Sequence, residues 1–134
     1  MGAPVMWEIS WSRLAEEERD LLRAAEVVNG CGGKGSWIDP PDWLFVASCD
    51  QHDFHYWRGG DEGDRAEADW QFYQAMIVDT KSASWWRRPF ARIRAWSYYK
   101  AVRLFGAKYW NDGPVRGRVD LDAALRQGRA KLAG

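Results

Sequence analysis

The sequence predicts an all-α domain. Three observations carry that expectation: apolar residues recur at three- and four-residue steps over several stretches, glycine and proline mark the ends of those stretches, and acids gather where helices would begin. With 134 residues, 46% of them apolar and 28% charged, the chain fits one globular domain spanning 1–134 with a single core. Formal net charge is zero, yet acids lead from Asp61 to Asp69, and every charged side chain from Lys81 to Lys108 is basic. That asymmetry serves either an anionic surface or pairing with the acidic elements.

Met1 to Ser12 alternates bulky residues and supports no firm element. Ser12 is placed to cap a first helix running to about Val28, with Leu14, Leu21, Leu22, Ala25 and Val28 as its apolar stripe. Glu16, Glu17 and Glu18 fall in its first turn, where the dipole favours anions. Asn29-Gly30 ends it, and the glycines from Gly30 to Gly35 with Trp37 describe an ordered loop. Pro40-Pro41-Asp42 starts a second helix that passes His52 and stops at Gly59-Gly60. Asp61 or Asp64 begins a third, continuing to about Thr80. Lys81 to Arg88 connects to a fourth from Pro89 to Gly106, with Ala95, Tyr98, Val102 and Phe105 on its inner face. Asn111-Asp112-Gly113-Pro114 marks a loop, and a short helix from Asp120 to about Lys131 closes the chain.

The chemistry gathers on the second and third helices. Cys49, His52, Asp53 and Tyr56 fall at steps of three, one and three, roughly one side of a helix and too polar for ordinary core. Asp69 shares the expected buried face of the third helix with Phe72, Tyr73 and Met76, and a buried carboxylate needs a partner. If the two helices lie antiparallel, as the short glycine connection favours, His52 bonds Asp69 through one ring nitrogen and keeps the other as a base. Asp53 and the carbonyls of Gly30 to Gly35 then stand around a hard cation, and oxygen ligands suit calcium better than zinc. A zinc site from Cys49, His52 and His55 at three-residue steps is the alternative. The only cysteines are Cys31 and Cys49. A disulfide between them would tie the glycine loop to the His52 helix, worth roughly 3 kcal/mol in the chain-entropy model. A reducing compartment would leave two thiols instead.

Three segments, Gly30-Cys31-Gly32-Gly33-Lys34-Gly35, Cys49-Asp50-Gln51-His52-Asp53-Phe54-His55-Tyr56 and Ala68-Asp69-Trp70-Gln71-Phe72, together resemble the phospholipase A2 superfamily. Its marks are a glycine-rich calcium loop with a cysteine, a Cys-x-x-His-Asp-x-x-Tyr helix and an aspartate on the facing helix. The likeness covers about Asn29 to Met76. It implies a phospholipase A2-like fold: two antiparallel helices carrying the site, flanking helices and a glycine-rich calcium loop. The implied activity is calcium-dependent hydrolysis of the sn-2 ester of glycerophospholipids. On that resemblance His52 activates a water, Asp69 orients the histidine and Tyr56 supports the pair. Asp53 with the carbonyls of Gly30, Gly32 and Lys34 holds Ca2+, and the Gly32 amide is the oxyanion donor. Lys34 stands where glycine is usual, and Ser48 and His55 stand where many animal members have cysteines. The low cysteine count is similar to the disulfide-poor bacterial, fungal or phage members.

Ten tryptophans are many for this length. Trp85-Trp86-Arg87-Arg88 has the composition of an interfacial anchor, with rings at headgroup depth and guanidinium groups on phosphate, so a phospholipid membrane surface is the expected partner. The bland reading is a loop whose rings tuck against the fold. Zero net charge and the absence of a recognition motif argue against nucleic acid. No apolar run is long enough to span a bilayer, and the first residues lack a basic and apolar leader. The expectation is synthesis in the cytoplasm, with release by lysis or a signal-less route. The alternative function is a catalytically inactive membrane- or partner-binding module, a phage structural or lysis-associated component indifferent to His52. The sequence leaves the oligomeric state open.

Overall fold

The computed structural model describes residues 8–29 and 43–134. Five α-helices, joined in part by short 3-10 turns, hold most of the described residues, and no strand occurs among them.

Helix α1, Glu16–Ala24, is shorter at both ends than the stripe from Ser12 to Val28 suggests. Trp11–Arg13 instead forms a 3-10 turn that buries Trp11, so Leu14 and Ala15 run extended and Ala15 takes the capping position expected of Ser12. The Ala15 amide donates to Glu18 Oε1 at 2.9 Å. At the far end Glu26 adopts a left-handed φ of 62°. Its amide donates to the Arg23 carbonyl (3.1 Å) and the Val27 amide to the Leu22 carbonyl (3.0 Å), the two bonds of a Schellman end. The helix therefore closes well before Asn29-Gly30.

Helix α2, Val46–Arg58, follows a 3-10 turn at Trp43–Phe45. Its expected start at Pro40-Pro41-Asp42 lies outside the described residues. It stops at Gly59 and Gly60, whose φ values of 81° and 139° suit glycine alone. A side chain at 59 would run into Asn111, and one at 60 into Asp64. Helix α3, Glu62–Asp79, is opened by a reciprocal cap: the Asp64 amide donates to Asp61 Oδ1 (2.8 Å) and the Asp61 amide to Asp64 Oδ2 (2.9 Å). Helix α4, Arg88–Phe105, carries Pro89 in its first turn, where no amide hydrogen is needed. Helix α5, Arg118–Ala133, extends beyond the Asp120 to Lys131 expectation at both ends, with the Gly117 amide donating to Asp120 Oδ2 at 3.0 Å.

The partners along α2 and α3 fix their direction. Ser48 meets Asp79, His52 meets Asp69 and Tyr56 meets Arg65, so numbers rise on one helix as they fall on the other. The two helices are antiparallel, and α2 is the central element. On one side its Phe54 packs with Leu21 and Leu22 of α1 and with Leu121 and Leu125 of α5. On the other, Phe45 and Cys49 pack with Phe72 and Met76 of α3 and with Ala95 and Val102 of α4. Burying each such large apolar side chain contributes about 1.5–3 kcal/mol, which holds α2 from both flanks. Phe105, expected on the inner face of α4, is 61% exposed because it lies at the edge of that stripe in the last helical turn. Among the described residues no helix is long and apolar enough to cross a membrane.

Candidate active site

His52 and Tyr56 lie one turn apart on α2, so both reach the same place on α3. That place is Asp69, fully buried. His52 Nε2 stands 2.7 Å from Asp69 Oδ1, and the Tyr56 hydroxyl donates to the same oxygen at 2.6 Å. The imidazole is held by rings on two sides, stacked on Phe72 at 4.3 Å and tilted against Tyr56 at 4.3 Å. Tyr56 in turn meets the edge of Trp110 at 5.0 Å, and the Trp110 indole donates to the Gly60 carbonyl at 2.9 Å. The glycine turn that stops α2 thus anchors the ring that Tyr56 packs against.

Two groups that the sequence reading did not single out complete the environment of Asp69. Arg103 of α4 donates from Nη1 to Asp69 Oδ2 at 2.7 Å. Arg65, one turn before Asp69 on α3, places Nη1 3.5 Å from the same oxygen and donates to the Val102 carbonyl at 3.1 Å. Arg65 had a readable signal, since residues four apart on a helix share a face. Arg103 had none, because only the packing of α4 on α3 brings it in. His55, the second histidine of α2, is buried as well, and it is His52 that bonds Asp69.

The electrostatics settle the tautomer. Burial alone would raise the Asp69 carboxyl, but hydrogen bonds from His52, Tyr56 and Arg103 outweigh it and hold the group below the ordinary carboxylate range. An ionised carboxylate only accepts, so His52 Nε2 must carry the proton that bridges to it. Burial also lowers the His52 pKa, against the opposing pull of Asp69, so the ring is neutral near pH 7. A neutral ring protonated on Nε2 has its lone pair on Nδ1. Burial first, then the neighbouring Asp69, keep the Tyr56 phenol protonated as a donor.

Asp53, next to His52 on α2, points to a different neighbour. Its Oδ2 accepts the Asn29 amide at 2.8 Å, which places a carboxylate beside the chain where it leaves for Gly30. A carboxylate oxygen is the type of donor a hard divalent cation prefers, and Asp53 is the one side chain of the expected calcium ligands among the described residues. Gly30, Cys31, Gly32 and Lys34 lie outside the described residues. Cys49 is buried and disulfide-bonded, and Cys31 is the chain's other cysteine. A sulfur in a disulfide is no thiolate ligand, which removes the zinc alternative at Cys49, His52 and His55. Among the described residues no group of three or more His, Cys, Asp or Glu side chains is placed to hold a metal.

The tryptophan and arginine segment leads into α4, whose first residue is Arg88. Trp85 is 79% and Trp86 54% exposed, so the rings do not tuck against the fold. The Arg87 guanidinium lies 4.7 Å over the Trp86 ring. Arg88 turns back onto its own chain, donating to the carbonyls of Ala83 and Lys81 at 3.1 Å each, and so holds the turn in shape.

No family model matches the chain, and neither a curated protein nor a solved structure shows significant similarity to it.

Proposed function

We propose that this protein is a phospholipase A2-like hydrolase that cleaves the sn-2 ester of glycerophospholipids with calcium, using a water activated by His52. The observation that carries the reading is the His52 Nε2 to Asp69 Oδ1 bond of 2.7 Å, because it commits one ring nitrogen to the carboxylate and leaves Nδ1 as the base. Water is a poor nucleophile until its proton is taken. A neutral imidazole does this near pH 7, typically for 10² to 10⁴-fold. As the proton arrives, positive charge develops on the ring 2.7 Å from Asp69, which stabilises it. Tyr56 and the ring of Phe72 keep the imidazole from swinging away. Asp53 with the carbonyls of Gly30, Gly32 and Lys34 would hold the cation, and the Gly32 amide would face the oxyanion. When bound, calcium supplies Lewis-acid polarisation of the ester carbonyl.

One observation favours the non-catalytic reading, a phospholipase A2-like module that binds without turnover. Arg103 and Arg65 both share Asp69, and their charge opposes the stabilisation of an imidazolium beside it. Fatty-acid release from dispersed phospholipid separates the two. Wild-type protein with calcium is expected to release fatty acid, and His52→Asn, Asp53→Asn or a calcium chelator is expected to stop it with the helical spectrum unchanged. Wild-type protein that releases none at saturating calcium sinks the hydrolase and leaves the module.

A further inference from the structure

Helix α4 has two apolar faces. Its inner face, with Ala95 and Val102 fully buried, packs on α2 and α3. The opposite side is also apolar: Phe90, Ile93 and Leu104 are 68%, 63% and 69% exposed, and their spacing keeps them on one line of the helix. Trp86, four residues before Phe90, continues that line into the preceding turn. A globular helix needs one apolar stripe, so the outer one is not explained by the core.

The charges around this stripe have one sign. From Thr80 to Asn111 the chain contains no acid, while Arg87 and Lys100 flank the exposed line. Net charge over the whole chain is zero, so the basic character belongs to this face and not to the molecule at large. Two copies meeting through α4 would bring these cations together, which disfavours a self-interface. Nucleic acid would use the cations but leave Ile93 and Leu104 in water.

We infer that the outer face of α4 docks on an anionic phospholipid surface, with the helix lying along it. Aliphatic and Phe side chains enter the acyl boundary, Trp86 sits at headgroup depth, and the flanking cations meet lipid phosphates. At 18 residues the helix offers a strip about 27 Å long. Arg103 on its next flank bonds Asp69, so docking sets the helix that touches the catalytic pair against the lipid. The inference deepens the lipid-hydrolase reading and takes its biological sense from it, but its test requires no turnover.

The test is sedimentation of the full chain with vesicles of phosphatidylcholine alone and of phosphatidylcholine mixed with phosphatidylglycerol. Wild-type protein is expected to bind the anionic vesicles at least tenfold more tightly than the neutral ones, and to release in high salt. His52→Asn and added chelator are expected to leave binding unchanged. Phe90→Asp with Ile93→Asp, both at exposed positions, is expected to weaken binding at least tenfold with an unaltered helical spectrum. Arg87→Glu with Lys100→Glu is expected to abolish the preference for anionic lipid. Equal binding to both vesicles, no binding to either, or a dimer in lipid-free sedimentation that Phe90→Asp with Ile93→Asp dissociates would each overturn the inference. Turnover of a monomeric short-chain phospholipid by a protein that fails to bind vesicles would remove the docking face and keep the hydrolase. Vesicle binding without turnover would do the reverse.

Discussion

Arg103 and Asp69 are 34 positions apart in sequence, yet Nη1 of the first donates to Oδ2 of the second at 2.7 Å inside the packing of α4 on α3. Asp69 is fully buried, so its charge is tolerable only while its donors stay in place. Removing the arginine leaves Arg65, His52 and Tyr56 to carry it. Arg103→Leu is expected to lower unfolding free energy by about 1.5–3 kcal/mol, the range of a hydrogen bond to a charged group. Arg103→Lys should recover part of the loss, since it restores the charge without the second guanidinium nitrogen, which reaches Glu62 at 3.4 Å. Urea unfolding measures this, and a leucine variant with the wild-type midpoint and slope would show that the pair contributes nothing.

Gly106 and Tyr56 form a second testable contact. A Cβ built at 106 would lie 2.6 Å from the Tyr56 hydroxyl and 3.3 Å from its ring, so the residue that ends α4 must be small for the tyrosine to reach Asp69. Gly106→Ala is expected to push the ring and cost about 1–3 kcal/mol, as overpacking does. In a Tyr56→Phe background the hydroxyl is gone, and the same substitution should cost less. A double-mutant cycle with a coupling of about 0.5 kcal/mol or more supports the contact, and strict additivity refutes it.

Much of this arrangement was legible beforehand because it is written in local spacing. Asp61 with Asp64, Gly59 with Gly60, and Pro89 each mark a helix end by chemistry that neighbours cannot easily override. His52 and Tyr56 share a helix face by period alone, and the short glycine turn made Asp69 their natural opposite. What stayed hidden depends on packing or on a tolerated exception. Ser12 has the side chain of a cap, but burying Trp11 put a 3-10 turn where the helix would have begun. Glu26 occupies a left-handed position usually given to glycine, so the end of α1 carried no sequence mark. Arg103 and Phe105 look alike as helical residues, and only the placement of α4 sends one to Asp69 and the other to solvent.

The left-handed Glu26 yields a prediction of its own. With a Cβ, that conformation is disfavoured by roughly 1–2 kcal/mol, which glycine avoids at the expense of a more flexible unfolded chain. Its contact with Lys131, 3.9 Å between exposed groups, contributes little. Glu26→Gly is therefore expected to raise stability by about 0.5–1 kcal/mol, whereas Glu26→Val, branched at Cβ, should lower it. Thermal unfolding of the two variants beside wild type decides the matter, and a glycine variant less stable than wild type would contradict the Schellman account.

His55 links stability to acid. Burial first, then the positive charge of Arg58 and that of His52 once protonated, drive its pKa down to about 3 from an ordinary 6.5. Between those values the unfolded chain binds a proton that the native state refuses, so stability falls as pH falls below about 6.5 and is unaffected above it. The slope is at most about 1.4 kcal/mol per pH unit for one such group. His52, shifted in the same direction by burial, adds to the same limb. Over about pH 5 to 6.5, above the usual carboxylate range, urea unfolding with chelator present should show this slope in wild type. It should be shallower in His55→Gln, whose amide does not titrate. If the two slopes are equal, His55 takes up its proton as readily in the native protein as in the unfolded chain.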